Sequence, residues 1–301
     1  MTMLPTTEQA LPAYSGLDLW PAGRILAAIV DAQTEAVRSV DAALPAIEAA
    51  SLVFAAALRS GGRTIYVGAG SSGLIAELDA LELPGTFGIK PAQIVILVAG
   101  RPAATGSLTG ETEDDAATGR AEMAALVPSA RDCIIAVSAS GSTAYTVAAA
   151  AEARANGAHV VGMACNAGSA LLGVADCPVL LPTPPEVLAG STRMNAGTAQ
   201  KCGLNMLSTL AAVRLGHVHD GLMVNVQADN AKLKRRAAGI VARVCGSSAE
   251  EARALLEAAG NDVKTAILLD RFGSIEAARC ALERHGGHLR PALAEDIPAG
   301  R

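Results

Sequence analysis

"VGAGSSGLIAELDALELPGT", Val67 to Thr86, follows the apolar residues Thr64-Ile65-Tyr66 and runs into a helical pattern. A strand, a glycine-rich turn and a helix in that order begin a βαβ unit. Gly68, Gly70 and Gly73 carry the G-x-G-x-x-G spacing of a dinucleotide loop. Such a loop also needs an acidic residue about twenty residues on, at the end of the next strand, to hold a ribose diol. The next strand, Gln93 to Val98, ends in Ala99-Gly100-Arg101, and the nearby "FGIKP" holds no acid. The spacing therefore does not predict a dinucleotide site.

Four further apolar runs accompany "RTIYVGAG": "AQIVILVAG", "DCIIAVSAS", "AHVVGMAC" and "CPVLLPT". Each is short, nearly continuous and bounded by turn residues, and helical patterns separate most of them. Strands without polar alternation are buried on both faces, which predicts an α/β fold with a parallel five-stranded sheet covered by helices. Residues 19–60 are Ala-rich and predict two helices. From Ala196 to about Ala242 the pattern is helical again. "CGSSAEEARALLEAAGNDVKTAILL" and the stretch after it predict a small three-helix unit over 246–290, with a cap at Ser247-Ser248 ahead of Glu250-Glu251. The expected divisions are a helical segment over 1–50, a ligand-binding α/β domain over 51–240 and a small helical domain over 241–301.

Composition narrows the function classes. The 301 residues are 51% hydrophobic and 18% charged, which excludes a disordered chain. Only 2% are aromatic, so Ala, Val, Leu and Ile must build the core. A formal charge of -5 gives no electrostatic case for nucleic acid or an anionic membrane. The first twenty residues lack the basic and apolar regions of a signal peptide, which points to the cytoplasm. Ala155 to Ala175 is free of charge but holds Asn156, Gly157, His159 and Asn166, a strand-turn-helix pattern rather than a membrane span. The six cysteines include no C-x-x-C pair and are expected as buried thiols. His217-Val218-His219 and His285…His288 each lack a third ligand, so no metal is expected.

Two loops stand out when the strand ends are aligned. The first strand leads into Gly70-Ser71-Ser72-Gly73, the third into Ser138-Ala139-Ser140-Gly141-Ser142-Thr143. Parallel sheets bind ligands beyond the carboxyl ends of their strands, and helix N-termini there present backbone N–H groups to anions. Hydroxyls add donors without bulk. Two such loops fit the phosphate of a small polar ligand such as a sugar, although Ser and Gly also cap helices without binding anything.

These motifs, with "LDALELPGTFG", "GETEDD", "CNAGSAL", "EVLAGSTRMNAGTAQK", "LNMLST" and "LMVNV", resemble the sugar isomerase (SIS) fold. Within it they are similar to the N-acetylmuramic acid 6-phosphate etherases. The match covers most of the chain, and Glu186 to Lys201 is its most specific part. The resemblance implies a cytoplasmic lyase of amino sugar catabolism and peptidoglycan recycling. It would act as a homodimer on a phosphorylated amino sugar, with no cofactor. The reaction removes D-lactate from the C3 ether and leaves N-acetylglucosamine 6-phosphate.

Two proton-transferring carboxyls suit that chemistry. The resemblance implies Glu82 and Glu113 as catalytic residues, with Glu111 as the alternative register for the second. It further implies Gly70, Ser71, Ser72, Ser138, Ser140, Ser142, Thr143, Glu186, Ser191, Arg193 and Lys201 as substrate-binding. Glu82 is read as the acid for the departing lactate, its carboxyl raised if Leu81 and Leu83 close over it; Glu113 is read as the base. Pro84 and Gly85 would place Glu82 at a helix end. The chain departs from the family at Leu74 and Ser142, where Arg is usual, at Asn195 in place of Lys, and at Asn225 in place of Asp. A non-catalytic sugar-phosphate-binding regulator and an aldose–ketose isomerase remain as alternatives.

Overall fold

A computed structural model of the chain describes residues 4–100 and 110–295. Arg101, read above as closing the turn after the second strand, lies outside the described residues, as does 296–301 of the last expected domain. The Ala-rich amino-terminal stretch forms α1 (Ala22–Ser39) and α2 (Leu44–Arg59), parted by a 3-10 turn over Val40–Ala43. Pro45 falls in the first turn of α2, where a missing N–H leaves no bond unmade. Ala22–Arg59 is long and apolar enough, by length and composition, to cross a membrane. Its second half buries Ile47, Ala50, Phe54 and Leu58 in the protein core.

The sheet follows as β1 (Thr64–Gly68), α3 (Gly70–Phe87), β2 (Ile94–Val98), α4 (Ala116–Ala125), β3 (Cys133–Val137), α5 (Ala144–Ala155), β4 (His159–Ala164), α6 (Ala170–Val174), β5 (Cys177–Leu180) and then α7 (Asn195–Arg214). All five strands are parallel, as the apolar runs predict, and the structure orders them β2-β1-β3-β4-β5. The chain leaves β1 toward one edge and returns to β3 on the other side of β1. That reversal makes a crevice beyond the carboxyl ends of β1 and β3, the usual place for a ligand in an open α/β sheet. The register aligns Gly68 with Val137, so the two serine-rich loops start level with one another.

Small side chains let the helices close on the strands. Ile65, Val67, Ile134, Ala136 and Val160 pack with Ala149, Ala150 and Ala153 of α5 and with Leu171 of α6, all fully buried. Two polar groups fix α3 and α7 to this layer. The Asp79 carboxylate accepts from the Tyr66 hydroxyl at 2.8 Å and the Ser208 hydroxyl at 3.1 Å, inside the core. α3 does not stop at Pro84 as the sequence suggests; it runs on to Phe87. A proline removes one i→i−4 bond, and tertiary packing here carries the helix past that loss. Glu82 thus lies within the last turns of a helix and not at its end.

Contacts divide the chain into two compact units, Met1–Leu81 with Ala92–Ser208, and Glu82–Pro91 with Thr209–Arg301. The pattern-based divisions at 50/51 and 240/241 cut the chain elsewhere. In the second unit the helix expected up to Ala242 is broken by a hairpin, β6 (Val218–His219) and β7 (Leu222–Met223). Its loop is Asp220-Gly221, with φ of 46° and 73°; Asp-Gly is a strong two-residue hairpin signal that the helical pattern obscures. There follow α8 (Ala231–Cys245), α9 (Ala249–Ala258), α10 (Val263–Phe272), α11 (Ile275–Arg284) and α12 (Leu289–Ala294). The three helices expected over 246–290 are α9 to α11. Their shared core includes Val224, just after the hairpin, and Ala237 and Val241 of α8, so these belong with them. Ser248 and Glu251 form the expected capping box of α9.

Candidate functional site

The three glycines after β1 serve close approach. A Cβ on Gly68 would lie 2.8 Å from the Gly73 Cα, and one on Gly73 would lie 2.9 Å from a Val98 methyl. The first turn of α3 can therefore rest directly on the sheet. Ser72, in that turn, is buried, and its hydroxyl donates to Gln200 Oε1 at 3.0 Å and accepts from the Ala139 N–H at 3.3 Å. It joins α3, α7 and the loop after β3, while Gly70 and Ser71 remain half-buried at the surface of the turn.

The loop after β3 is a network of hydroxyls. Ser138, buried, lies 2.9 Å from the Thr143 hydroxyl and 3.3 Å from that of Ser140, and accepts from the Gly141 N–H at 3.0 Å. Ser140 Oγ in turn accepts from the Ser142 N–H and hydroxyl at 3.2 and 3.1 Å. Thr143 is the N-cap of α5 but makes no side-chain capping bond, so its hydroxyl is not spent on that helix's first N–H groups. Gly141, at φ +70°, must be glycine: a Cβ there would stand 2.2 Å from Ser169 Oγ. The structure brings both loops to one crevice, with partly exposed hydroxyls at Ser140, Ser142 and Thr143.

Glu113 reaches the first loop. Gly70 has φ +52°, and a Cβ on it would lie 2.6 Å from Glu113 Oε1, so glycine leaves room for that carboxyl. Glu113 is half-buried and Glu111 exposed, so of the two registers it is Glu113 that faces the glycine turn. Burial, and then the neighbouring charge of Asp114, hold the Glu113 carboxyl above the ordinary carboxylate range. Glu82 is exposed on α3. Leu81 beside it is 61% exposed and Leu83 is 1% exposed, facing the core. Neither closes over Glu82, because successive residues of a helix point to different sides.

The remaining candidates divide. Glu186 is 1% exposed and accepts from the Asn195 and Ala196 N–H groups at 2.7 and 3.0 Å, holding the start of α7. Burial pushes its carboxyl up, against those two N–H bonds. Ser191 is half-buried, Arg193 exposed, and Lys201 donates to Asn205 Oδ1 at 2.8 Å one turn along α7. Asn195 is wholly buried and donates to Pro185 O at 3.0 Å, while Leu74 is 46% exposed on α3. Three residues outside the sequence-based set hold the loops: Gln200 through Ser72, and Asn166 and Thr7, whose side chains meet next to Ser140. "CNAGSAL" and "GTAQK" carry Asn166 and Gln200; spacing alone does not reveal a buried amide's partner. Among the described residues no group of three or more His, Cys, Asp or Glu side chains could hold a metal ion.

Residues 29–165 match the family model described as SIS domain. Over 301 residues the chain is 45% identical to the N-acetylmuramic acid 6-phosphate etherase of Deinococcus radiodurans, covering 100% of this chain and 99% of that one. The chain belongs to the N-acetylmuramic acid 6-phosphate etherase family. The etherase of Streptomyces avermitilis is 42% identical over 291 residues, covering 96% of this chain and 93% of its own length. A solved structure from Bacteroides fragilis NCTC 9343, a candidate phosphosugar isomerase involved in capsule formation, matches with a TM-score of 0.51. It is 19% identical and covers 65% of this chain and 94% of its own, which shows the shared fold. The loops Gly70–Gly73 and Ser138–Thr143 carry no Lys or Arg of their own.

Proposed function

We propose that this chain cleaves the D-lactyl ether of N-acetylmuramic acid 6-phosphate, giving N-acetylglucosamine 6-phosphate and D-lactate. The observation that carries the proposal is full-length similarity to curated etherases; the Glu113 carboxyl beside a hydroxyl-lined crevice supports it. The phosphate would rest on Ser140, Ser142, Thr143 and the N-terminus of α5. In the open-chain sugar the C2 proton is acidified by the C1 aldehyde. A base removes it, the C3–O bond breaks, and lactate leaves with a proton from an acid. Water then adds at C3 of the unsaturated aldehyde, and C2 regains a proton.

Glu113 is the base in this reading. A carboxyl held above its ordinary range is a stronger base once ionised. Glu82 is the acid. We assign Arg193 and Lys201 to the substrate's polar groups and Glu186 to holding the start of α7 beside them.

The chain would work as a homodimer in the cytoplasm, in the recycling of peptidoglycan sugars. α1 exposes Leu26, Val30 and Val37, and α3 exposes Leu74, Leu78 and Leu81; each set falls on one helical stripe that a second copy could cover. All six cysteines are free thiols, as in a reducing compartment. The test is lactate release by the purified protein from N-acetylmuramic acid 6-phosphate. Tight binding without turnover would indicate a sensor instead, and a ketose product an isomerase.

A further inference from the structure

Thr7 lies far from the sheet in sequence but not in space. It sits in a 3-10 turn over Thr6–Glu8 and is 2% exposed. Its hydroxyl accepts from Asn166 Nδ2 at 3.1 Å, and the same amide nitrogen donates to the Ser140 carbonyl at 3.2 Å. An amide NH2 has two hydrogens, so one serves each partner. The Thr7 carbonyl accepts from the Gly190 N–H at 3.2 Å, which ties the same turn to the segment between Glu186 and Ser191. The turn after β4 and the approach to α7 thus meet at one buried threonine, and Asn166 carries the junction on to the loop after β3.

The Ser140 carbonyl belongs to the peptide that ends in the Gly141 N–H, and that N–H is bonded to Ser138 Oγ. Holding the carbonyl fixes the plane of this peptide, and with it the direction of the N–H and the seat of the Ser140 side chain. Asn166 can hold the carbonyl only while its own rotation is fixed, and the Thr7 hydroxyl supplies the second anchor. We propose that Thr7 is a positioning residue for the phosphate subsite, acting through Asn166 on the Ser140–Gly141 peptide. The inference rests on the assignment of Ser140 to phosphate given above. It gives the amino-terminal turn a part in substrate binding without contact to the substrate.

The test compares Thr7→Val, which keeps the shape and removes the hydroxyl, with Thr7→Ser, which keeps the hydroxyl. Binding of N-acetylglucosamine 6-phosphate is measured by calorimetry, and lactate release from N-acetylmuramic acid 6-phosphate by steady-state kinetics. Thr7→Val should raise both the sugar phosphate Kd and KM by about five-fold, the equivalent of one neutral hydrogen bond, and leave kcat unchanged. Thr7→Ser should behave as the parent protein. Asn166→Leu, which removes the same link from its other end, should reproduce the rise and serves if Thr7→Val does not fold. Parental Kd in Thr7→Val or in Asn166→Leu overturns the proposal. So does an equal loss in Thr7→Ser, which would mean packing and not the hydroxyl. A parent protein that shows this binding pattern but releases no lactate ends the lyase reading and leaves the role of Thr7 standing. Lactate release that Thr7→Val does not alter at low substrate does the opposite.

Discussion

The two ends of the five-stranded sheet are built from opposite materials. At the amino ends, charges meet charges. Arg63, just before β1, and Asp132, just before β3, are joined at 2.8 Å, with further bonds to the same carboxylate from the Arg63 Nε and backbone N–H at 3.0 Å and from Ser129. Arg154 and Asp176 pair at 3.0 Å before β5, and Asp176 also takes the Val160 N–H. At the carboxyl ends of β1 and β3 the loops hold no charge of their own. They offer hydroxyls and backbone N–H groups, and the Glu113 carboxyl is brought against Gly70 of the first loop. Charges that saturate one another stabilise a fold but offer nothing to a ligand. Neutral donors arranged around a crevice add less to the fold and keep capacity for an anion.

This contrast can be broken from either end. The largest expected effect is at the carboxyl end: Glu113→Gln should lower lactate release by roughly a thousandfold, as loss of a general base does, with an unchanged melting temperature. In deuterated water it should also lose exchange of the C2 proton, whereas Glu82→Gln should keep exchange and release little lactate. The reverse pattern would swap acid and base. At the amino end, Asp132→Ala should leave kcat/KM alone and cost about 3 kcal/mol of stability, because it strands a partly buried guanidinium and two N–H groups. Burial alone would raise the Asp132 carboxyl, but its bonds to Arg63 and Ser129 outweigh that and hold it below its usual range. A depressed carboxyl stabilises fully above its unfolded value of about 3.9 and loses that contribution as pH falls through the folded one. Urea midpoints of Asp132→Ala and the parent should therefore differ at pH 7 and converge in acid. The smallest effect tests the loop donors singly: Ser140→Ala should weaken sugar phosphate binding roughly tenfold, one charge-assisted hydrogen bond, without moving the urea midpoint.

The fold was legible because continuous apolar runs have one physical use, burial on both faces of a sheet. The two loops were legible for a related reason: Gly-Ser-Ser-Gly and Ser-Ala-Ser-Gly-Ser-Thr follow strands and precede helices, where backbone donors gather. The hairpin at Val218–Met223 was obscured because two-residue strands are too short to show a period beside α7 and α8. Pro84 misled because proline usually ends helices, and the packing that carries α3 past it is tertiary. The surroundings of Glu82 misled for a geometric reason. Leu81 and Leu83 flank it in sequence, but on a helix they diverge, one to solvent and one to the core. Ser72 and Glu186 show the same limit: the residue type announces a polar role, and only the fold shows that its partners are the protein's own N–H groups and amides.

The Ser72 hydroxyl bonds to Ala139, 67 positions along the chain, and to Gln200, 128 positions along. Contacts of such separation form only after long loops have closed, so they come with completed folding and not before it. A chain that has made its helices but not paired β1 with β3 has no crevice and no affinity for a sugar phosphate. Ligand then binds the native state alone, and every increment of binding free energy is added to the stability of the whole first unit. Occupancy of the crevice becomes a readout of folding, and substrate, when present, a guard against unfolding.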